Sequence, residues 1–195
     1  MTLGITGISG SGKHTAADFL KQKGWVVLDA DKIAHYLYRP YTSVWKAIVG
    51  HFGEGILSAN DKIDRQKLGK IVFNVSDPKK SAKELQALNE MAHPAVKAHI
   101  KNEIYHIRGK KNVAVVAALW EELGLPEYCE KMLLVTADKE TAFKRIQKRD
   151  SADRNEFESR IKNQKTPPKP DYELRNDGEF KEFYQALNDI VLKID

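Results

Sequence analysis

Cysteine occurs once in this chain, at position 129. No intramolecular disulfide can brace the fold, as expected in a reducing compartment, so stability has to come from a packed core. Long apolar runs are missing too. No stretch approaches 18 consecutive apolar residues, which removes a membrane-spanning helix from the expected elements. The first residues carry no charged segment followed by a long apolar one, so a cytoplasmic protein is expected. There are no internal repeats, no low-complexity tracts and no RNA- or DNA-binding motif. Neither sign of charge dominates: 32 Lys and Arg against 27 Asp and Glu give a formal +5. That surplus favours anionic partners without choosing nucleic acid over a nucleotide. What is present is ordinary globular material, 195 residues of which 42% are hydrophobic and 30% charged. This suits one domain, or one domain carrying an insertion.

Near the amino terminus stands Gly7-Ile8-Ser9-Gly10-Ser11-Gly12-Lys13-His14-Thr15. The preceding Leu3-Gly4-Ile5-Thr6 reads as a buried strand, and Ala16, Phe19 and Leu20 have helical spacing after it. Strand, glycine-rich turn and helix form the context of a phosphate-binding loop. Glycines let backbone N–H groups turn toward phosphate oxygens, and the helix aims its positive end at the same anion. Lys13 then reaches the β- and γ-phosphates, and Gly10, Ser11, Gly12, Lys13, His14 and Thr15 become candidate ATP contacts. The bland alternative is a flexible glycine-serine turn with a solvated lysine. One residue departs from the pattern: His14 stands where a Ser or Thr hydroxyl would hold Mg²⁺.

Trp25 to Leu28 reads as a second buried strand, ending in Asp29-Ala30-Asp31. Carboxylates at a strand's carboxyl end lie where open α/β sheets bind ligands, although a helix cap with a solvated neighbour explains them equally well. If the strand continues, Asp29 and Asp31 share a face. From Lys32 to about Arg108 the pattern is helical, with His93-Pro94 expected to interrupt or kink the last helix. Strands follow at Asn112–Leu119 and Lys131–Thr136, with Asp138 capping a helix over 139–149. A charged segment, 144–165, precedes a Thr166–Pro170 loop, a short strand at Tyr172–Arg175 and a closing helix at about 180–192. Alternating strands and helices predict an α/β fold, a parallel sheet flanked by helices with a P-loop kinase or NTPase core.

The charged segment carries Arg145, Arg149, Arg154 and Arg160. Such runs are usually solvated helix faces. Beside a phosphate loop they also fit a lid, since phosphoryl transfer needs charge neutralisation and exclusion of water. A hydroxyl acceptor calls for a nearby carboxylate to take its proton, and Asp31 is the candidate. His93 reads as either a core residue or a ligand. Cys129 reads as inert packing, and Tyr36, Tyr38, Trp45 and Trp120 as core.

Taken together, these stretches resemble the dephospho-coenzyme A kinase family over nearly the whole chain. The resemblance runs through Gly4-Ile-Thr-Gly-x-x-Gly-Ser-Gly-Lys13, Asp29-Ala30-Asp31-x-Ile33-Ala34, Phe52-Gly53 with Ile56-Leu57, and Ile63-Asp64-Arg65-x-x-Leu68. It continues through Val72-Phe73, His93-Pro94, Arg145 to Arg149-Asp150, Arg160-Ile161-x-x-Gln164 and Asn176-x-Gly178. It implies ATP-dependent phosphorylation of the ribose 3′-hydroxyl of dephospho-CoA, with ATP and Mg²⁺ and no nucleic-acid or membrane partner. It implies a single kinase domain over 1–195, with a helical acceptor-binding insertion at about 32–108 and a lid at about 144–168. By the same resemblance Lys13, Asp31 and Arg149 are catalytic, Asn176 lies near the adenine of ATP, and Asp31, His35 and His93 face the acceptor.

Three departures accompany it. His14 replaces the metal-binding hydroxyl, so no metal ligand is assigned. His35 stands where the family often has Arg. Val115 stands where a carboxylate opens the family's Asp-x-Pro-Leu-Leu-Phe-Glu, here Val115 to Glu121. These keep two alternatives open: another small-molecule P-loop kinase, or a nucleotide-binding regulatory protein with weakened catalysis. Oligomeric state is not encoded in any feature found.

Overall fold

The computed structural model describes residues 1–74, 76–162, 164 and 169–194. Five strands form one parallel sheet: β1 (Thr2–Thr6), β2 (Val26–Asp29), β3 (Val113–Val116), β4 (Lys131–Thr136) and β5 (Tyr172–Arg175), in spatial order β2-β3-β1-β4-β5. The chain builds outward on one side of β1 with β2 and β3, then crosses to the other side with β4 and β5. The loop leaving β1 therefore opens at the topological switch point, the usual ligand crevice of such sheets.

β1 is buried at every residue, as a central parallel strand should be. On one face Leu3, Ile5, Ala114, Val116, Leu133 and Val135 pack with Ala16, Ala17 and Leu20 of α1 (Lys13–Gln22) and with Phe183, Leu187, Ile190 and Val191 of α8 (Phe180–Ile194). On the other face Gly4 admits the ring of Trp120, which is fully buried. A Cβ on Gly4 would lie 2.0 Å from Trp120 Cη2.

The chain divides into two compact units, Met1–Asp29 with Ile100–Asp195, and Ala30–His99. The second unit is helical: α2 (Ala30–Leu37), α3 (Ser43–Phe52), α4 (Arg65–Val72) and the greater part of α5 (Pro78–Ile107). Val44, Ile48, Ile56, Leu68, Val72, Leu88 and Ala92 form its core. Thr42 and Asp64 start α3 and α4 as side-chain caps, Asp64 accepting from the N–H groups of Gln66 and Lys67 at 2.9 and 3.1 Å. In the first unit α6 (Lys139–Asp150) and α7 (Arg154–Lys162) share a small core of Ala142, Ile146, Ala152, Phe157 and Ile161.

Several expectations shift. β2 stops at Asp29 and Ala30 already belongs to α2, so Asp31 sits in a helix's first turn rather than on a strand face with Asp29. α5 runs through Pro94 as one 30-residue helix. Pro94 removes one backbone donor, but Leu88, Ala92, Val96, Ile100 and Ile104 bury a continuous stripe at four-residue spacing that holds the helix together. β3 is shorter than the apolar run that contains it. Asp138 starts α6 without a side-chain cap; its carboxylate accepts from Arg175 and its N–H donates to Asp177. Tyr36 is half exposed rather than core. Burial pushes the Cys129 thiol up to about 12, consistent with inert packing. Residues 165–168, the end of the charged segment and the start of the expected loop, lie outside the described residues.

The Gly4–Trp120 contact yields a test. Gly4→Ala is expected to destabilise the protein by about 1–3 kcal/mol in urea unfolding, and adding Trp120→Phe should recover part of the loss. A Gly4→Ala protein as stable as the parent would contradict the packing.

Candidate active site

The loop from Gly7 to Gly12 joins the buried β1 to α1, and its shape depends on glycine. Gly10 and Gly12 have φ of +86° and +103°, in the left-handed region that side chains rarely adopt. Space excludes side chains as well: a Cβ at residue 10 would meet the Ala142 carbonyl oxygen at 2.3 Å, and one at residue 12 the Asn176 Nδ2 at 2.0 Å. Gly12 is also the N-cap of α1, and its carbonyl accepts from Ala16 N at 3.1 Å. The first N–H groups of any α-helix have no carbonyl upstream within it. Here those of Lys13, His14 and Thr15 belong to the turn that opens off the loop, so helix dipole and donors coincide on one anion site.

Three side chains from distant sequence hold this loop. Asn176, buried just after β5, donates from Nδ2 to the Ser11 carbonyl at 2.7 Å, and its own N–H bonds Thr136 O at 2.8 Å. Arg145 of α6 reaches the Gly10 carbonyl at 3.3 Å and Asn176 Oδ1 at 3.4 Å. Gln164 makes a two-point contact with Ser9, accepting from its N–H at 2.8 Å and donating to its Oγ at 3.0 Å. Ile8 packs against the shared core of α6 and α7. The loop is thus pinned at Ile8, Ser9, Gly10 and Ser11. Among these anchors, only Asn176 was a sequence candidate for the nucleotide site. Arg145 reads from sequence as lid charge, and nothing local marks Ser9 and Gln164 as partners.

Lys13 is buried in the first turn of α1, and Thr15 is half-buried beside it. His14 Nε2 stands 3.3 Å from Asp29 Oδ2, with Asp29 buried at the end of β2 and His14 40% exposed. Asp29 and Ile5 both register against Val116, so the end of β2 lies level with the end of β1. Asp31 follows two residues along the chain, exposed in α2 together with His35. Within that second unit Asp31 acts electrostatically on Tyr38, whose hydroxyl is pushed up to about 12 by burial, while Arg65 pulls it down and Asp31 adds to the rise. His93 is half-buried on α5.

Arg149, at the end of α6, is exposed and forks onto the neighbouring Asp150 at 2.7 and 2.9 Å. Arg160 of α7 reaches the same carboxylate at 2.6 Å. Bonds from Arg149 and then Arg160 hold the Asp150 carboxyl well below the usual carboxylate range. Two lid candidates therefore converge on one acid at the α6–α7 corner.

A glycine-built anion cradle, a buried lysine at a helix start and an arginine-rich helical corner make a nucleotide site of the P-loop kinase type. Comparison with known proteins agrees. A family model described as CoaE, dephospho-CoA kinase, matches residues 1–182. The dephospho-CoA kinase of Lactobacillus johnsonii is 33% identical over 198 residues, covering 98% of this chain and 97% of that protein. That of Geobacillus kaustophilus is 36% identical over 163 residues, covering 83% and 78%. The solved dephospho-CoA kinase from Campylobacter jejuni superimposes with a TM-score of 0.70 at 26% identity, covering 99% of this chain and 96% of its own. With loop, lysine and match running through almost its whole length, the chain belongs to the dephospho-CoA kinase family.

Proposed function

We propose that this site moves the γ-phosphoryl group of ATP onto the ribose 3′-hydroxyl of dephospho-CoA, with Lys13, Asp31 and Arg149 acting on the reacting groups. ATP-dependent phosphorylation of dephospho-CoA is the activity of the family to which the chain belongs. The observation that carries the residue assignment is the pinned loop, whose form is held by Asn176, Arg145 and Gln164. In this reading the loop amides and Lys13 hold the β- and γ-phosphates, and Ser11, Gly12, His14 and Thr15 line the same turn. The bond between the γ-phosphorus and the β–γ bridging oxygen breaks as the 3′-oxygen bonds to phosphorus. The hydroxyl proton passes to the Asp31 carboxylate, and ADP leaves with its new charge facing Lys13. Arg149 swings from Asp150 to the transferring group, an exchange of one anionic partner for another. Asn176 fixes the loop and lines the adenine side, while His35 and His93 belong to the acceptor-binding unit.

The reading further treats 1–195 as one kinase domain with an acceptor-binding insertion at about 32–108 and a lid at about 144–168. It assigns a cytoplasmic role at the end of coenzyme A synthesis. Among the described residues no helix is long and apolar enough to cross a membrane. Mg²⁺ is the cation expected with ATP, and the carboxylate of Asp29 is a hard oxygen ligand beside the loop. His14 next to it offers an imidazole nitrogen, which suits Mg²⁺ poorly.

ADP release measured with dephospho-CoA, adenosine or AMP tests the acceptor: ADP should form with dephospho-CoA alone. Nucleotide binding without turnover would favour a regulatory protein, and turnover on adenosine or AMP another small-molecule kinase. Asp31→Asn is expected to lower kcat by about 10²–10⁴-fold with ATP affinity nearly unchanged; an unaltered kcat would remove Asp31 from the reaction. Asn176→Ala frees the loop and is expected to raise the ATP KM by about tenfold, the worth of one buried hydrogen bond. A KM equal to that of the parent would show that the loop holds its form without the clamp.

A further inference from the structure

His14 follows Lys13 directly in α1, and its Nε2 lies 3.3 Å from Asp29 Oδ2. That separation is longer than the roughly 2.7–2.9 Å of a charge-assisted N–H···O bond. It matches the spacing of two donors on one cation: bonds of about 2.1 Å, at angles between the octahedral and tetrahedral values, set their donor atoms roughly 3.0–3.4 Å apart. The hydroxyls nearby do not take over. Ser11 Oγ is sealed from solvent, with no hydrogen-bond partner among the described residues. Thr15 is one residue further round the helix, about 100° from the direction of His14. Beside the phosphate loop His14 and Asp29 therefore set a borderline nitrogen next to carboxylate oxygen. Imidazole suits first-row transition cations, and affinity for such mixed sites rises from Mn²⁺ to Co²⁺. Mg²⁺ dehydrates reluctantly and gains little from nitrogen.

We propose that His14 and Asp29 make this chain select a first-row transition cation, Mn²⁺ or Co²⁺, over Mg²⁺ as the ion that accompanies the nucleotide. The inference rests on the phosphate-loop reading above. Mg²⁺ at this position gains carboxylate oxygen but keeps a water where the nitrogen would bind. A transition cation exchanges one more water for the His14 nitrogen, so the nucleotide complex is tighter.

The test is calorimetric titration of the intact protein with AMP-PCP, an ATP analogue that does not transfer its phosphoryl group, in saturating Mg²⁺, Mn²⁺ or Co²⁺. Binding is expected to be about tenfold tighter with Co²⁺ than with Mg²⁺, with Mn²⁺ between them, as one added nitrogen ligand predicts. In His14→Ser the three affinities should converge. Pulsed electron paramagnetic resonance of the Mn²⁺ complex supplies a readout that needs no variant. A ¹⁴N coupling that becomes ¹⁵N when histidine alone is isotopically labelled is expected. Equal affinities in the parent protein, a preference that survives His14→Ser, or no histidine coupling would each overturn the cation preference. Failure of AMP-PCP to bind with any of the three ions would overturn the phosphate-loop reading instead.

Discussion

The side-chain nitrogen of Asn176 occupies the space where residue 12 would carry a Cβ, 2.0 Å from its ideal position, and from there it donates to the Ser11 carbonyl at 2.7 Å. This close approach is possible only because residue 12 is glycine, and it ties the end of β5 to the start of α1. A loop of glycine and serine left alone samples many conformations, and ordering it on binding costs about 1–2 kcal/mol per residue. Clamping it beforehand moves that cost into folding, where the sheet and its core offset it. In the proposed reaction, donors held in place this way are the condition for strong electrostatic stabilisation of phosphoryl transfer.

The clamp also explains how the sheet topology serves the chemistry. β1 is central, so the loop it feeds is flanked by the ends of β3 and β4 rather than by solvent. β5 is an edge strand, and the residue after it reaches back across β4 through the Asn176 N–H on Thr136. α6 adds Arg145 on the Gly10 carbonyl, and the residue two places beyond α7 adds Gln164 on Ser9. Helix α6 and the chain just beyond α7 are therefore in direct hydrogen-bonded contact with the phosphate loop. Arg149 and Arg160 meanwhile both pair with the Asp150 carboxylate.

Much of this was readable in the residues, for identifiable reasons. β4 over Lys131–Thr136 stands where its apolar run puts it, and β5 fills the short strand expected at Tyr172–Arg175. The loop was legible because its glycines answer a local demand, φ above zero beside a crowded backbone. Local patterns misled where longer-range packing decided. Pro94 signals a break, yet the buried stripe on both sides of it carries α5 through. Asp31 reads as the end of a strand, yet the helix begins one residue earlier. Ser9 and Gln164 are 155 positions apart, and nothing in either one's neighbours marks the partner. His14 was visible as a departure, but its pairing with Asp29 needed the register of β2 against β3 to emerge.

His14, His35 and Val115, read in the sequence as departures from the expected pattern, leave the cradle, Lys13 and Asp31 in place. The central claim is that the preformed loop grips the triphosphate, and a crystal structure with bound AMP-PCP addresses it most directly. The account predicts β- and γ-phosphate oxygens within hydrogen-bonding distance of the amides of residues 10–15 and of Lys13 Nζ, with the Asn176–Ser11 bond retained. Nucleotide bound elsewhere with this loop empty, or a loop that abandons Asn176 to bind it, would contradict the account.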